Sequence, residues 1–270
     1  MKMKGRSVIT YNVYAPTNVI CMLRPRRQNG QSIIEEGFNI EPSVPFSEYT
    51  DLYGNACQRF VLPNGQVTIT TEVQAQVNPT KQIPSPVPGY ILVGDLPDEV
   101  MYYILPSRYC QSDLQELSNL AFQIAGNFVP GYDQVEEIRK WIHQNIKYQY
   151  GVSDSTTTAL DTARNRIGVC RDFTHLAISL CRALSIPARM TVGYLDKLQE
   201  MDLHAWFEVY IGGEWYTFDA VQEVTEGYRI EIAHGRDAAD VAMITQFGNA
   251  TLQSLHVEVN LLENEPVSQN

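Results

Sequence analysis

GVCRDFTHLAISLCRALSIPARMTVGYL, residues 168–195, is the stretch on which the fold turns. Phe173, Leu176, Ala177, Leu180, Cys181 and Leu184 recur at helical spacing and form one apolar stripe. Pro187 ends that helix, because proline lacks an amide donor and restricts the residue before it. Cys170 lies where a polar loop turns into the helix. There the free backbone amides and the helix dipole favour a thiolate by about 0.3–1 kcal/mol. The same amides can bind the oxyanion of a tetrahedral intermediate. Taken alone, a single cysteine defaults to an inert core thiol.

The next segment changes that reading. Residues 203–211 and 214–221 have strand character, and Gly212-Gly213 between them is a two-residue hairpin signal. With that loop Ile211 opposes Glu214, and Trp206 faces Asp219. His204 projects from the same face as Trp206 and is diagonal to Asp219, a separation of roughly 7–8 Å that two side chains leaning together can close. A loop one residue longer would flip one strand and remove the pairing. A thiol at a helix start, with a His and an Asp on paired strands, is the layout of a thiol acyl-transfer site.

Other histidines fit less well. His175 is about 140° around the helix from Cys170 and shares a face with Arg171, Ser179 and Arg182, as a surface or packing residue would. His143 lies on the polar side of an earlier helix, and His234 and His256 have no acidic or thiol neighbour that the sequence places. No CxxC pair or close Cys/His cluster exists, so neither a metal nor another cofactor is expected.

Residues 168–195, followed by HAWFEVYIGGEWYTFDA at 204–220, closely resemble the transglutaminase-like superfamily in its bacterial branch. The resemblance covers about residues 110–222. The opening segment, with Tyr53-Gly54-Asn55, more loosely resembles the small β-domain that precedes this core in bacterial members. It implies an α+β, papain-like core of helices on an antiparallel sheet, with Cys170 as nucleophile, His204 as general base and acid, and Asp219 as the orienting carboxylate. Two positions depart from the usual pattern: Val221 stands where many relatives have Thr, and Asp196 where many have Pro.

Composition agrees. Of 270 residues, 44% are hydrophobic and 19% charged, values of a globular chain. The net charge of −11 is uneven: residues 1–80 hold seven Lys/Arg against six Asp/Glu, leaving −12 on the remainder. That argues against nucleic acid as a partner. No run reaches membrane-spanning length, no signal peptide is expected, and five irregularly spaced cysteines suit a reducing cytoplasm.

Along the chain, strand-like segments near 8–14, 19–24 and 57–62, with the alternating Val67, Ile69, Thr71, Val73, Ala75 and Val77, make residues 1–80 a small β-domain. Pro84, Pro86 and Pro88 mark 81–110 as a linker. A catalytic domain is expected over 111–265 and a frayed tail over 266–270. Within it, Ser112 with Gln115 and Asp133 with Glu136 read as capping boxes for two helices. Residues 228–233 and 252–262 read as strands around a charged loop at Arg236-Asp237, expected to be solvated or ion-paired.

For the cleft, Trp206, Tyr150 and Arg171 are candidate substrate contacts, with Trp206 shielding the His–Asp pair and Tyr148 beside Tyr150 at the cleft wall. The expected activity is attack on a peptide or side-chain carboxamide through a thioester, resolved by water as in a cysteine peptidase or amidase. Two alternatives remain: an amine acceptor, as in a protein-glutamine transglutaminase, and a non-catalytic protein-binding module on the same fold.

Overall fold

The alternation from Val67 to Val77 becomes the inward face of a long strand. In the computed structural model, which describes residues 1–27, 30–198 and 200–262, every second residue there is buried. The first part of the chain forms β1 (Lys2–Val13), β2 (Thr17–Cys21), β3 (Gln31–Glu41), β4 (Ser47–Thr50), β5 (Ala56–Leu62) and β6 (Gly65–Val77). Then follow α1 (Gln115–Ala125), α2 (Tyr132–Asn145), β7 (Lys147–Tyr148), α3 (Ala159–Asn165), β8 (Ile167–Gly168) and α4 (Cys170–Ala183). Strands β9 (Ala188–Leu195), β10 (His204–Ile211), β11 (Glu214–Phe218), β12 (Arg229–Gly235), β13 (Ile244–Phe247) and β14 (Ala250–Leu262) complete the order. The class is α+β with antiparallel sheets; among the described residues only the short β7–β8 pair is parallel. Among the described residues no helix is long and apolar enough to cross a membrane.

Strand order redraws the expected division of the chain. One sheet runs β14-β1-β6-β3 and another β13-β2-β5-β4, so both sheets of the N-terminal region are completed by strands from the C-terminal end. β14 pairs with β1 along its whole length, from Lys2–Leu262 to Val13–Ala250. Residues 244–262 therefore join the first β-region and not the catalytic unit expected over 111–265. Unpaired edges on β1 and β2 would expose rows of backbone donors and acceptors, and the returning chain covers them. The expected tail at 266–270 lies outside the described residues.

The proline-rich 81–110 segment is a packed strap, not a free linker. It carries two short 3-10 turns, Val93–Asp95 and Asp98–Tyr103, and buries Leu96, Val100, Tyr103, Tyr109 and Cys110. Its prolines forbid long regular elements but not apolar packing. The two capping boxes also do not form. α1 begins after Leu114 and α2 after Gly131, neither with a side-chain cap, so Asp133 falls inside its helix. The reciprocal box is at Thr158 and Asp161, where the Asp161 carboxylate accepts the Thr158 N–H at 2.9 Å.

α4 is the centre of the molecule, enclosed by α1, α2, α3, β9 and β10. The expected single apolar stripe is an understatement, because every residue from Asp172 to Arg182 is buried. On its polar side the Arg182 guanidinium is satisfied internally. Arg182 donates to the carbonyls of Ala188, Leu105 and Arg236 and to Ser107 Oγ. A buried guanidinium is tolerated when its donors are placed in this way.

The second layer is the sheet β11-β10-β9-β12. It docks on the β-region through Tyr194, whose hydroxyl meets Thr71 Oγ1 at 3.1 Å and whose ring lies over Gly5; a Cβ there would come within 2.8 Å of the ring. A polar lock adds to this. Asn55 pairs with the His234 backbone through both amide atoms, at 2.9 and 3.0 Å, and Arg26 meets Glu231 at 3.0 Å.

Gly193 sits where β9 must pass between β10 and β12, opposite His204 on one side and Glu231 on the other. A Cβ at Gly193 would lie 2.0 Å from the Ile230 carbonyl oxygen and 3.1 Å from the Trp206 ring. Backbone cannot yield without opening the ladder. Gly193→Ala is expected to lower stability by about 3 kcal/mol, read as a lower urea midpoint; an unchanged midpoint would show that β12 can move.

Candidate active site

Cys170 is the first residue of α4, and the start of that helix is held from within. The preceding Val169 is extended and has no side-chain acceptor. Instead the Asp172 carboxylate, 1% exposed, accepts the Val169 N–H at 2.9 Å and meets Arg171 at 3.0 Å. This pins the helix start under the thiol. Cys170 is partly exposed, whereas Cys21, Cys57, Cys110 and Cys181 are buried. Burial pushes the Cys110 thiol up to about 12 and raises the other three as well. Those four are poor nucleophiles for the same reason.

His204 opens β10 and Asp219 follows the last residue of β11. The register runs from Ile211–Glu214 to Phe207–Phe218, the pairing that a two-residue loop dictates. One step further the strands leave the ladder, and His204 Nε2 meets Asp219 Oδ2 at 2.7 Å. The ring is also shared with Cys170, which lines the same two cavities as His204. With Nε2 taken by the carboxylate, Nδ1 is the nitrogen left for sulfur.

The electrostatics favour a charged ring. Burial alone would lower the His204 pKa, but the Asp219 carboxylate and the Cys170 sulfur reverse this and lift it to about 10. For Asp219 burial would raise the pKa; His204, Arg229 and the Val221 N–H outweigh it and hold the carboxyl below its ordinary value. The Val221 amide donates to Oδ1 at 3.0 Å, so the residue that departs from the usual Thr acts here through its backbone.

Arg229, at the start of β12, is the residue that sequence reading missed. Its guanidinium approaches Asp219 Oδ2 at 3.5 Å, donates to Gln222 Oε1 at 2.9 Å and lies 5.5 Å from the Trp206 ring centre. Nothing in the local pattern announces it, since Arg229 lies ten positions beyond Asp219 and on another strand of the sheet. Arg229→Gln removes a cation that opposes protonation of the neighbouring ring. Its basic limb of kcat/KM is therefore expected to move to higher pH, and Arg229→Lys to restore it, as measured by pH–rate profiles. An unmoved limb in Arg229→Gln would leave Arg229 a purely structural group.

Two cavities meet at the sulfur. A cleft of about 930 Å³ is lined by Tyr148, Tyr150, Glu200, Asp202 and Glu223 among others, and by Cys170 and His204. A smaller cavity of about 340 Å³ reaches the same two residues from the other side, between Met190, Val192 and the strands β1 and β14.

Comparison with known proteins fits this geometry. Residues 118–220 match the transglutaminase-like superfamily core, and residues 15–78 the bacterial transglutaminase-like N-terminal region. A crystal structure of a candidate cysteine protease from Cytophaga hutchinsonii superposes with a TM-score of 0.91 at 38% identity, over 99% of this chain and 92% of that one. The chain belongs to the transglutaminase-like superfamily. An uncharacterised protein of Mycobacterium leprae is 29% identical over 236 residues, 82% of each chain. One of Mycobacterium tuberculosis is 28% identical over 249 residues, 81% of this chain and 77% of its own.

In this transglutaminase-like chain the remaining candidates separate clearly. Tyr150 lines the large cleft, and Tyr148 stands between it and Phe173, at 5.4 and 5.8 Å. Arg171 lines the smaller cavity while bonded to Asp172 and to the Asp154 carbonyl. Trp206 does not reach either cavity. It is 2% exposed and stacked beside His204 at 6.3 Å, so it shields the ring and is no substrate contact. Its inward face was legible, but the depth of the sheet beneath it was not.

His175 is a core residue and not a surface one. Its ring stacks on Tyr109 at 5.1 Å and its Nε2 accepts the Ala238 N–H at 3.1 Å. Burial lowers its pKa to about 4, so it stays neutral near pH 7. The loop expected to be solvated or ion-paired holds an ion pair, Arg236 with Asp240, while Asp237 is 1% exposed and accepts the Tyr109 N–H at 2.7 Å. His234 has an acidic neighbour after all, Glu231 at 2.9 Å, and His256 meets Glu258 at 3.1 Å. His143 borders the large cleft.

Proposed function

We propose that the chain is a cysteine peptidase or amidase acting on carboxamides. The observation that carries this is the His204–Asp219 bond beside Cys170, the two residues Cys170 and His204 lining the same two cavities. Cys170 thiolate attacks the carboxamide carbon, forming a C–S bond and an oxyanion. The amides at the start of α4 lie on the side where that charge develops. Collapse breaks the C–N bond as the His204 imidazolium gives its proton to the leaving nitrogen. Water then adds to the thioester, His204 taking its proton, and the acid leaves as the thiolate returns. Asp219, with Arg229 behind it, keeps the ring oriented throughout. A reducing cytoplasm is the setting we propose for five unpaired cysteines.

The pH dependence follows from the lifted His204 pKa. The ring is protonated below about 10 and loses the proton above it, so the general acid is present at neutral pH and lost on the alkaline side. The expected kcat/KM falls as pH rises through about 10. A limb near the ordinary imidazole value would deny the ion pair.

A direct test uses iodoacetamide near pH 6 and mass spectrometry of acid-quenched substrate mixtures. The Cys170 thiol should be alkylated far faster than the other four, and an acyl adduct should accumulate on it. Equal labelling with no adduct on any amide would point to the non-catalytic reading.

A further inference from the structure

The two cavities that share Cys170 and His204 differ in chemistry. The 930 Å³ cleft carries Glu200, Asp202, Glu223 and Glu226 against one lysine, Lys197, which is already paired with Glu226 at 3.0 Å. Among the described residues no cation pairs with Glu200, Asp202 or Glu223. Asp202 lies within the field of the His204 ring. The cleft presents a surplus of acidic side chains to whatever enters.

The 340 Å³ cavity is the reverse. Ile9, Met190, Val192, Met243, Leu252 and Leu255 line it, and apart from His204 and Cys170 the charged side chain among its described lining residues is Arg171. One wall belongs to β1 and β14, the pair formed when the C-terminal strand returns to the N-terminal sheet. That gives the β-region a place at the site. It shapes the apolar side.

We propose that the substrate is a two-faced peptide, with an aliphatic side chain seated in the cavity against β1 and β14 and a lysine or arginine side chain in the acidic cleft, flanking the carboxamide at Cys170. The assignment rests on the peptidase or amidase reading for its turnover, but the binding preference stands apart from it. Unpaired carboxylates around a partly enclosed cleft attract a cation and repel an anion at the same place, and salt weakens both effects. An aliphatic group gains from leaving water only on the apolar side.

The test is a matched peptide set in which either flank of one amide carries Leu, Ser, Lys or Glu. Turnover is read by mass spectrometry, and binding is measured on the Cys170→Ala protein. Leu/Lys peptides are expected to react and to bind at least ~10-fold better than Leu/Glu peptides at low salt, the gap narrowing at 0.5 M salt. Glu200→Gln with Glu223→Gln should bring Lys and Glu peptides towards parity, whereas Glu137→Gln, on α2 and paired with Lys140 outside both cavities, should leave the preference intact. Leu255→Ser should weaken Leu peptides more than Ser peptides. Equal binding of Lys and Glu peptides, or a preference that survives the double substitution, overturns the proposal. Preferential binding without turnover by the unaltered protein upholds it and sinks the peptidase or amidase reading instead.

Discussion

Cys170→Ala protein is expected to turn over its best amide substrate at least ~1000-fold more slowly than the unaltered chain, with no acyl adduct detectable. The size follows from the route. Without sulfur there is no thioester, and only the helix amides and solvent water remain to act on the carboxamide. Binding should persist, because the cleft and the apolar cavity are built by other residues, and circular dichroism should stay native, since the side chain is partly exposed at a helix start. Steady-state rates and intact-mass spectra check it. Substantial activity in Cys170→Ala would defeat the acyl-thioester route as a whole.

His204→Ala is expected to lose nearly as much, again ~1000-fold or more, and the double variant to be little worse than either single one. Thiol and ring act as one unit: the imidazolium holds the thiolate and then supplies the proton to the leaving nitrogen. Removing either ends both tasks. His175→Ala is the control for histidine loss. It removes a ring packed on Tyr109 and bonded to the Ala238 amide, so a lower unfolding midpoint is expected. Its turnover per folded molecule should stay within a few-fold, because a neutral buried ring takes no part in proton transfer. Loss of turnover in His175→Ala as deep as in His204→Ala, with the fold intact, would move the base to the wrong helix face for every step proposed above.

Much of the site was legible because it depends on short-range rules. The loop Gly212-Gly213 fixes a two-residue turn, the turn fixes the register, and the register sets His204 diagonal to Asp219. The thiol's place at a helix start follows equally from an apolar period that ends upstream at Phe173. Short-range rules do not reach Arg229, which comes to Asp219 only because β12 lies beyond β9 in the sheet. Nor did they separate Trp206, sealed under His204, from Tyr150, open to the cleft, although both are aromatic residues near the nucleophile.

By itself, then, the sequence determined the elements that carry Cys170, His204 and Asp219, their spacing and the family that they resemble, since period, turn length and helix ends are written within a dozen residues. Only the tertiary structure decided where the ends of the chain meet. Alternation along 252–262 says that a strand has two faces but not which edge it covers, and β14 chose β1 because that edge needed a partner. The same limit hid the burial of α4 on all sides. On the polar stripe of His175, Ser179 and Arg182 the partners are hidden until the strap of residues 81–110 brings the Leu105 carbonyl and the Ser107 hydroxyl to Arg182, and satisfaction of buried donors is a property of three-dimensional neighbours.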